Sequence, residues 1–305
     1  MRVVIIGCGY VGLELSRQLA ERDHDVTGVR RSEAGREAIE AVGEAIDTGS
    51  VESILADATD PESLVSLPDA DVVVFAASSG GRGAEAARAV YVDGLRCVIE
   101  EYGSREASPD RLVYTSSTGV YGDHDGAWVD EETPIAPTTE KTRVLAEAER
   151  VALEATSEFE IDGTVARFAG LYGPDRYRLE RYLSGPVTSG YLNMVHRDDA
   201  AGVIRYLLET DRARGEPVLV VDDEPVDKHV FADWLADECG VTRPEKRSKA
   251  ERIADGNLSM AAERRIRTSK RCANDRLRAF GYEFSYPTFR EGYRDPVASY
   301  RAENF

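Results

Sequence analysis

Lysine is scarce in this chain. Only five of its 305 residues are lysines, the first at Lys141, although basic residues number 38 and acidic residues 56. Arginine therefore carries most of the positive charge, on a chain whose net charge is −18. That balance repels phosphate backbones and anionic bilayers, so neither nucleic acid nor a membrane is an expected partner. It suits a protein adapted to high salt, where counter-ions screen self-repulsion; an ordinary acidic protein is the other reading. Cysteine is sparse too. Cys8, Cys97, Cys239 and Cys272 stand far apart with no C-x-x-C pair, and the four histidines lack ligand spacing. Neither a disulfide framework nor a metal site is indicated. No apolar run approaches the roughly 18 residues of a membrane span. The stretch from Met1 to Gly7 lacks the apolar core and small-residue cleavage site of a signal peptide. A reduced cytoplasm is the expected setting.

What is present is an alternation of elements. Val3–Ile6 and Asp25–Val29 are short apolar runs, and Leu13–Arg22 between them has apolar residues at three- and four-residue spacing. Further strand-like runs follow at Ser53–Leu55, Val72–Ala76, Arg111–Thr115, Gly163–Phe168 and Val218–Val221. Helical patterns separate them at Glu62–Leu67, Ala84–Glu101 and Thr142–Ala155, and another covers Lys228–Cys239. Strand and helix in repeated alternation imply parallel pairing through right-handed crossovers. The expected fold is α/β, a Rossmann-type doubly wound parallel sheet with a smaller C-terminal substrate-binding cap. Residues 1–170, with late elements from 190–225, are assigned to the dinucleotide-binding domain. Residues 171–189 and 226–305, including a basic, mostly helical stretch over Gly256–Ser285, are assigned to the smaller region.

Gly7-Cys8-Gly9-Tyr10-Val11-Gly12 is a G-x-G-x-x-G after the first strand and at a helix start. The first glycine permits the tight turn, the second lets backbone approach a pyrophosphate, and the third lets helix pack on strand. The helix N-terminus supplies donors for the phosphates. About twenty residues on, where NAD sites carry Asp or Glu for the ribose hydroxyls, the chain has Arg30-Arg31-Ser32. Two guanidiniums and no acceptor suit the 2′-phosphate of NADP; a solvated charge pair opening a helix would read the same. NADP is therefore the expected cofactor, with NAD second. Asp57 either accepts from an adenine amino group or joins Asp60 in capping a helix at Pro61. Ala76, Ala77 and Ser78 end the fourth strand in small residues, which lets an adenosine ribose lie against backbone.

These segments occur in order with Val113-Tyr114-Thr115-Ser116-Ser117-Thr118-Gly119-Val120-Tyr121-Gly122, Arg167-Phe168-Ala169-Gly170-Leu171-Tyr172-Gly173-Pro174, and Val195-His196-Arg197-Asp198-Asp199-Ala200. Asn274-Asp275-Arg276-Leu277 and Gly281-Tyr282 follow. The ordered set resembles an atypical extended short-chain dehydrogenase/reductase of the NAD-dependent epimerase/dehydratase kind; with the acid-rich composition, a haloarchaeal origin is expected. The resemblance implies that Ser117 hydrogen-bonds the substrate oxygen undergoing redox. It implies that Phe168, Gly170 and Leu171 meet the nicotinamide end through backbone groups. It also implies a helix starting near Asp198 at the substrate cleft, where Asp198 reads equally as a plain helix cap.

One departure outweighs the matches. The family's Tyr-x-x-x-Lys pair sets both side chains on one helix face, the lysine lowering the tyrosine pKa. Counting back from Glu147, the two slots hold Thr139 and Arg143, and Tyr91 replaces the asparagine usually found opening helix four. Arg143 is retained among the expected cofactor contacts. A non-standard proton donor is then required, with Tyr121, Tyr172 and Lys141 as candidates. The expected activity is that of an oxidoreductase or epimerase/dehydratase on a nucleotide-activated or phosphorylated sugar. A catalytically silent NADP-binding sensor or scaffold is the alternative. A homodimer is compatible with either. The opening Val4–Leu13 also resembles nucleotide-sugar 6-dehydrogenases, but those need a catalytic cysteine in a glycine-rich context and a longer chain, and here Cys239 precedes one glycine and Cys272 none.

Overall fold

The computed structural model describes residues 1–81, 83–254, 256, 263 and 266–304. Seven strands form the main sheet: β1 Arg2–Ile6, β2 Asp25–Arg30, β3 Ser50–Leu55, β4 Val72–Phe75, β5 Arg111–Ser117, β6 Asp162–Phe168 and β7 Pro217–Val220. Their order is β7-β6-β5-β4-β1-β2-β3. β1 runs parallel to both β2 and β4, β2 to β3, β4 to β5, and β5 to β6. This is the Rossmann-type α/β arrangement. Strand order reverses between β1 and β4, and in such sheets ligands bind beyond the carboxyl ends of the strands at that switch point. All four residues of β4 are buried, as are Val3–Ile6 of β1, so these strands read as unbroken apolar runs rather than alternating ones. Leu95, Val98, Ile99 and Tyr102 of the Leu95–Gly103 helix and Val144, Ala148, Val151 and Ala152 of the Glu140–Glu154 helix cover one face.

The chain divides into two compact units. Unit 1 comprises Met1–Val120, Pro137–Phe168 and Ala200–Val218. Unit 2 comprises Tyr121–Ala136, Ala169–Asp199 and Leu219–Phe305. Residues 121–136, which chain order groups with the nucleotide-binding half, belong to unit 2 because Trp128–Val129 pairs in parallel with Arg271–Cys272. Unit 2 has its own core, in which Tyr172, Phe231, Leu235, Phe289 and Tyr293 pack together. The stretch Gly256–Ser285 lies partly outside the described residues; its described part includes the Asp275–Phe280 helix. The long helix expected over Ala84–Glu101 is interrupted. Ala84–Arg88 and Leu95–Gly103 are α-helical, but Ala89–Gly94 is a π-helix, a form common at functional sites. Among the described residues no helix is long and apolar enough to cross a membrane.

The surplus of 56 acidic over 38 basic residues leaves a surface that repels itself. Raising salt to about 1 M shortens the screening length to about 3 Å. Melting temperature is expected to climb steadily from low to molar potassium chloride. A flat or falling curve in a scanning calorimeter would refute adaptation to high salt.

Candidate functional site

The carboxyl ends of β1, β2, β3 and β4 gather most of the expected cofactor residues. β1 ends at Ile6 and the chain turns on Gly7, at φ +80°, where a Cβ would stand 2.2 Å from the Cα of Ala77. The small Ala76-Ala77-Ser78 stretch and the first glycine are thus two sides of one close approach. Gly9 donates to the Gly7 carbonyl at 2.7 Å and precedes the helix α1, Tyr10–Ala20, with no side chain capping the helix start. Donors at an uncapped helix start are the usual site for a phosphate. Gly12 would bring a Cβ to 3.2 Å from Ile5 and 3.4 Å from the Cys8 sulfur, so helix and strand pack tightly here. Val11 is buried.

Arg30 lies across this turn. Its Nη1 donates to the Cys8 carbonyl at 3.1 Å, and a Cβ on Gly9 would stand 2.7 Å from the same nitrogen. A Cβ at Gly35, in the helix α2 (Glu33–Glu44), would stand 2.6 Å from Arg30 Nε. Glycine at both positions gives this guanidinium its space. Ser32 caps α2, accepting from Gly35 N–H at 3.3 Å. Arg31 Nη1 is 3.5 Å from a carboxylate oxygen of Asp57. The helix-capping role belongs to Asp60, which accepts from Glu62 N–H. Asp57 instead accepts from the N–H and hydroxyl of Thr59. Partial burial works against ionisation of Asp57, but the Thr59 bonds and Arg31 together hold its carboxyl below the ordinary range.

At the end of β5, Ser117 Oγ accepts from Gly119 N–H at 3.1 Å. A Cβ on Gly119 would stand 3.4 Å from that oxygen and 3.6 Å from the Thr142 methyl. Thr142 and Thr139 form a reciprocal capping box at the start of the Glu140–Glu154 helix, their hydroxyls 3.1 Å apart. The slot expected to hold a tyrosine therefore holds a helix cap. Arg143 and Lys141 are both exposed. Tyr91 stands on the π-helical turn, half-buried, and its hydroxyl oxygen accepts from Ser79 N–H at 3.3 Å, just past β4. Sequence reasoning noted the substitution at Tyr91 and missed the hydrogen bond. The π-turn leaves no period in the sequence by which to find it.

Two further candidates are repositioned by burial. Tyr121 is fully buried and its hydroxyl donates to the Asp130 carbonyl at 2.7 Å, which occupies the proton it was expected to deliver. Tyr172 is stacked on Tyr293 with ring centroids 5.2 Å apart, and its hydroxyl is buried. Burial first, then the nearby Asp222 carboxyl, pushes its pKa far above the ordinary phenol range. Such a group keeps its proton at neutral pH. Gly170 and Leu171 pair in parallel with Met194 and Val195 within unit 2, and Phe168 closes β6 opposite Ser117. Asp198 N–H bonds to His196 Nδ1 at the start of the Arg197–Glu209 helix. Asp199 is buried, accepting from the Tyr282 hydroxyl and the N–H groups of Ser285 and Tyr286. That contact explains why Gly281-Tyr282 accompanies the earlier Asp198-Asp199 motif.

One buried network escaped sequence reasoning. Glu149 accepts from Arg167 at 2.8 Å and from the Ser116 hydroxyl at 2.6 Å, with Ser116 and Arg167 in register on β5 and β6. Among the described residues no group of three or more His, Cys, Asp or Glu side chains is arranged to hold a metal.

The model of the NAD dependent epimerase/dehydratase family matches residues 3–220. Protein YeeZ of Escherichia coli is 30% identical over 297 residues, covering 94% of this chain and 96% of its own. A structure described as a putative NAD-dependent epimerase/dehydratase from Methylobacillus flagellatus is 30% identical with a TM-score of 0.75, covering 98% of each chain. UDP-glucuronic acid 4-epimerase from Bacillus cereus shares the fold at 17% identity, with a TM-score of 0.77 over 100% of both chains. On the family match and the full-length likeness to YeeZ, this chain belongs to the NAD dependent epimerase/dehydratase family.

Proposed function

We propose that this protein binds NADP through the glycine turn and Arg30, and acts as an oxidoreductase or epimerase/dehydratase on a nucleotide-activated or phosphorylated sugar, its proton donor non-standard. The observation that carries the reading is Arg30 itself. Its guanidinium is held 3.1 Å from the Cys8 carbonyl, between Gly9 and Gly35, at the end of the strand where an NAD site needs an acceptor. Arg31 and the capped start of α2 at Ser32 add positive character at the same edge. The residues fit the cofactor: Gly9 and Gly35 leave room for the Arg30 guanidinium, and Ala76–Ser78 add no bulk across the turn. When bound, the cofactor would supply hydride chemistry. The chain's own contribution is to hold the phosphates on α1, the 2′-phosphate on Arg30, and a substrate oxygen near Ser117. Family membership and the fold of relatives crystallised with NAD and UDP-sugars support the sugar class. The Thr139 cap favours a second reading, a cofactor-binding protein without turnover.

A charge-assisted contact to phosphate contributes about 1.5–3 kcal/mol, so NADPH should bind roughly tenfold or more tightly than NADH. Fluorescence titration of both cofactors should show that gap in the wild type and its collapse in Arg30→Ala. Equal wild-type affinities would end the NADP assignment.

A further inference from the structure

One cavity within unit 2 is bounded by carboxylates and, among the described residues, by no basic side chain. Its volume is about 390 Å³, within the range of small-molecule sites. Asp130, Asp222, Asp223 and Asp275 line it, together with Val129 and Ala273. Asp223 is already engaged: it accepts from Asn274 Nδ2 at 2.8 Å and pairs with Arg278. Asp130 accepts from the hydroxyl and N–H of Thr133. Asp275 is exposed on the first turn of the Asp275–Phe280 helix, and its side chain makes no hydrogen bond or ion pair among the described residues.

Asp222 is set apart by burial. It is 1% exposed, and its Oδ2 is buried with no hydrogen-bond partner among the described residues. Its Oδ1 accepts from Glu224 N–H at 3.4 Å. Burial above all holds this carboxyl well above the ordinary range; the Glu224 bond opposes that, and the nearby Asp223, Glu224 and Asp199 carboxyls add to it. A buried oxygen short of a donor is unfavourable unless a ligand supplies one, and a cation supplies charge as well. That cation is not a single metal ion, because no three acidic side chains among the described residues are arranged to hold one. Carboxylates spread too far for one ion suit a molecule whose positive charges are themselves separated. We propose that this cavity binds a linear aliphatic diamine, one ammonium donating to Asp222 Oδ2 and the other to Asp275 at the rim, its methylenes lying against Val129 and Ala273. The site is separate from the glycine turn and Arg30, and the proposal stands without the cofactor reading.

The test uses the full chain at about 0.15 M salt, where exposed charges more than about 8 Å apart are largely screened. Putrescine, butylamine and magnesium ion are compared by calorimetric titration. Putrescine should bind about tenfold or more tightly than butylamine, and should lose about tenfold or more in Asp222→Asn, whose Oδ1 can still accept from Glu224 N–H. Asp275→Asn should bring putrescine down toward butylamine and leave butylamine itself unchanged. Asp47→Asn, which removes an exposed carboxylate of unit 1, should alter neither. NADPH affinity should be the same in every variant. Circular dichroism confirms folding, and if Asp222→Asn does not fold, Asp275→Asn decides. Putrescine binding no tighter than butylamine, or unchanged in the folded Asp222 and Asp275 variants, overturns the proposal. So does an equal loss in Asp47→Asn, which would mark diffuse attraction to a chain of net charge −18. Magnesium binding more tightly than putrescine and displacing it overturns it too.

Discussion

Replacing Glu149 by alanine is expected to lower folding stability by about 3–5 kcal/mol, the usual consequence of removing one partner of a buried ion pair. Glu149 is 3% exposed and Arg167 6% exposed. Arg167 Nε lies 3.2 and 3.1 Å from the two carboxylate oxygens, and its Nη2 lies 2.8 Å from one of them. The Ser116 hydroxyl reaches the other oxygen. Removing the carboxylate leaves the guanidinium in a low-dielectric interior without this counter-charge, so desolvation of the arginine is no longer offset. Ser116→Ala should cost less, about 1.5–3 kcal/mol, because only a bond to a charged acceptor is lost. The pair Glu149→Leu with Arg167→Met should recover much of the loss, since well-packed apolar replacements for buried ion pairs are often neutral. Urea unfolding of the four proteins measures these differences. A Glu149→Ala midpoint shift equivalent to less than about 1 kcal/mol would show that the pair does not hold the two strand ends together. The consequence reaches the site, because Ser116 and Arg167 immediately precede Ser117 and Phe168 on the paired strands.

Glu149 also shows where sequence reasoning stops. Counting back from Glu147 set the register of the missing pair, yet Glu147 turns outward to Arg88 while Glu149 turns inward. Residues two apart on a helix face nearly opposite sides, and the two glutamates read alike until strands β5 and β6 supply a buried arginine and serine. The sheet was legible because parallel strands buried on both faces read as apolar runs, and the glycine turn because each glycine answers a steric need. Arg30 was legible as a charge in the right place; its seat between Gly9 and Gly35 was not, because Gly35 lies on a different element. The split of residues 121–136 into unit 2 depends on pairing across more than 140 residues of chain, between Trp128–Val129 and Arg271–Cys272. No local period encodes such a contact. A motif likewise names Tyr121 and Tyr172, but only packing shows their hydroxyls to be buried.

The largest kinetic effects are expected at the proton step. Thr139 accepts from Thr142 N–H at 2.9 Å within a capping box, and a threonine hydroxyl has no useful acidity near neutral pH. Thr139→Ala should therefore cost about 1 kcal/mol of stability, as loss of a helix cap does, and leave any NADPH turnover within a few-fold of wild type. General acid–base assistance is typically worth about 10²–10⁴-fold, so loss of the true donor would be plain in a stopped-flow or steady-state assay. Tyr91→Phe is the informative partner experiment. Its phenol oxygen accepts from Ser79 N–H at the carboxyl end of β4, which leaves the hydroxyl proton for another acceptor. If this chain turns over carbonyl compounds or nucleotide sugars, Tyr91→Phe should lower kcat by at least about 10²-fold with NADPH affinity unchanged. If it does not turn over, NADPH binds all three proteins equally and a broad substrate panel stays silent. In that case Thr139→Tyr with Arg143→Lys restores the tyrosine and lysine four residues apart, at the start of the Glu140–Glu154 helix, and is expected to raise the rate above background. One result contradicts this account: robust wild-type NADPH oxidation abolished by Thr139→Ala alone, with folding and cofactor affinity intact. Thr139 would then carry the proton, and its hydroxyl would have to leave the capping box to do so.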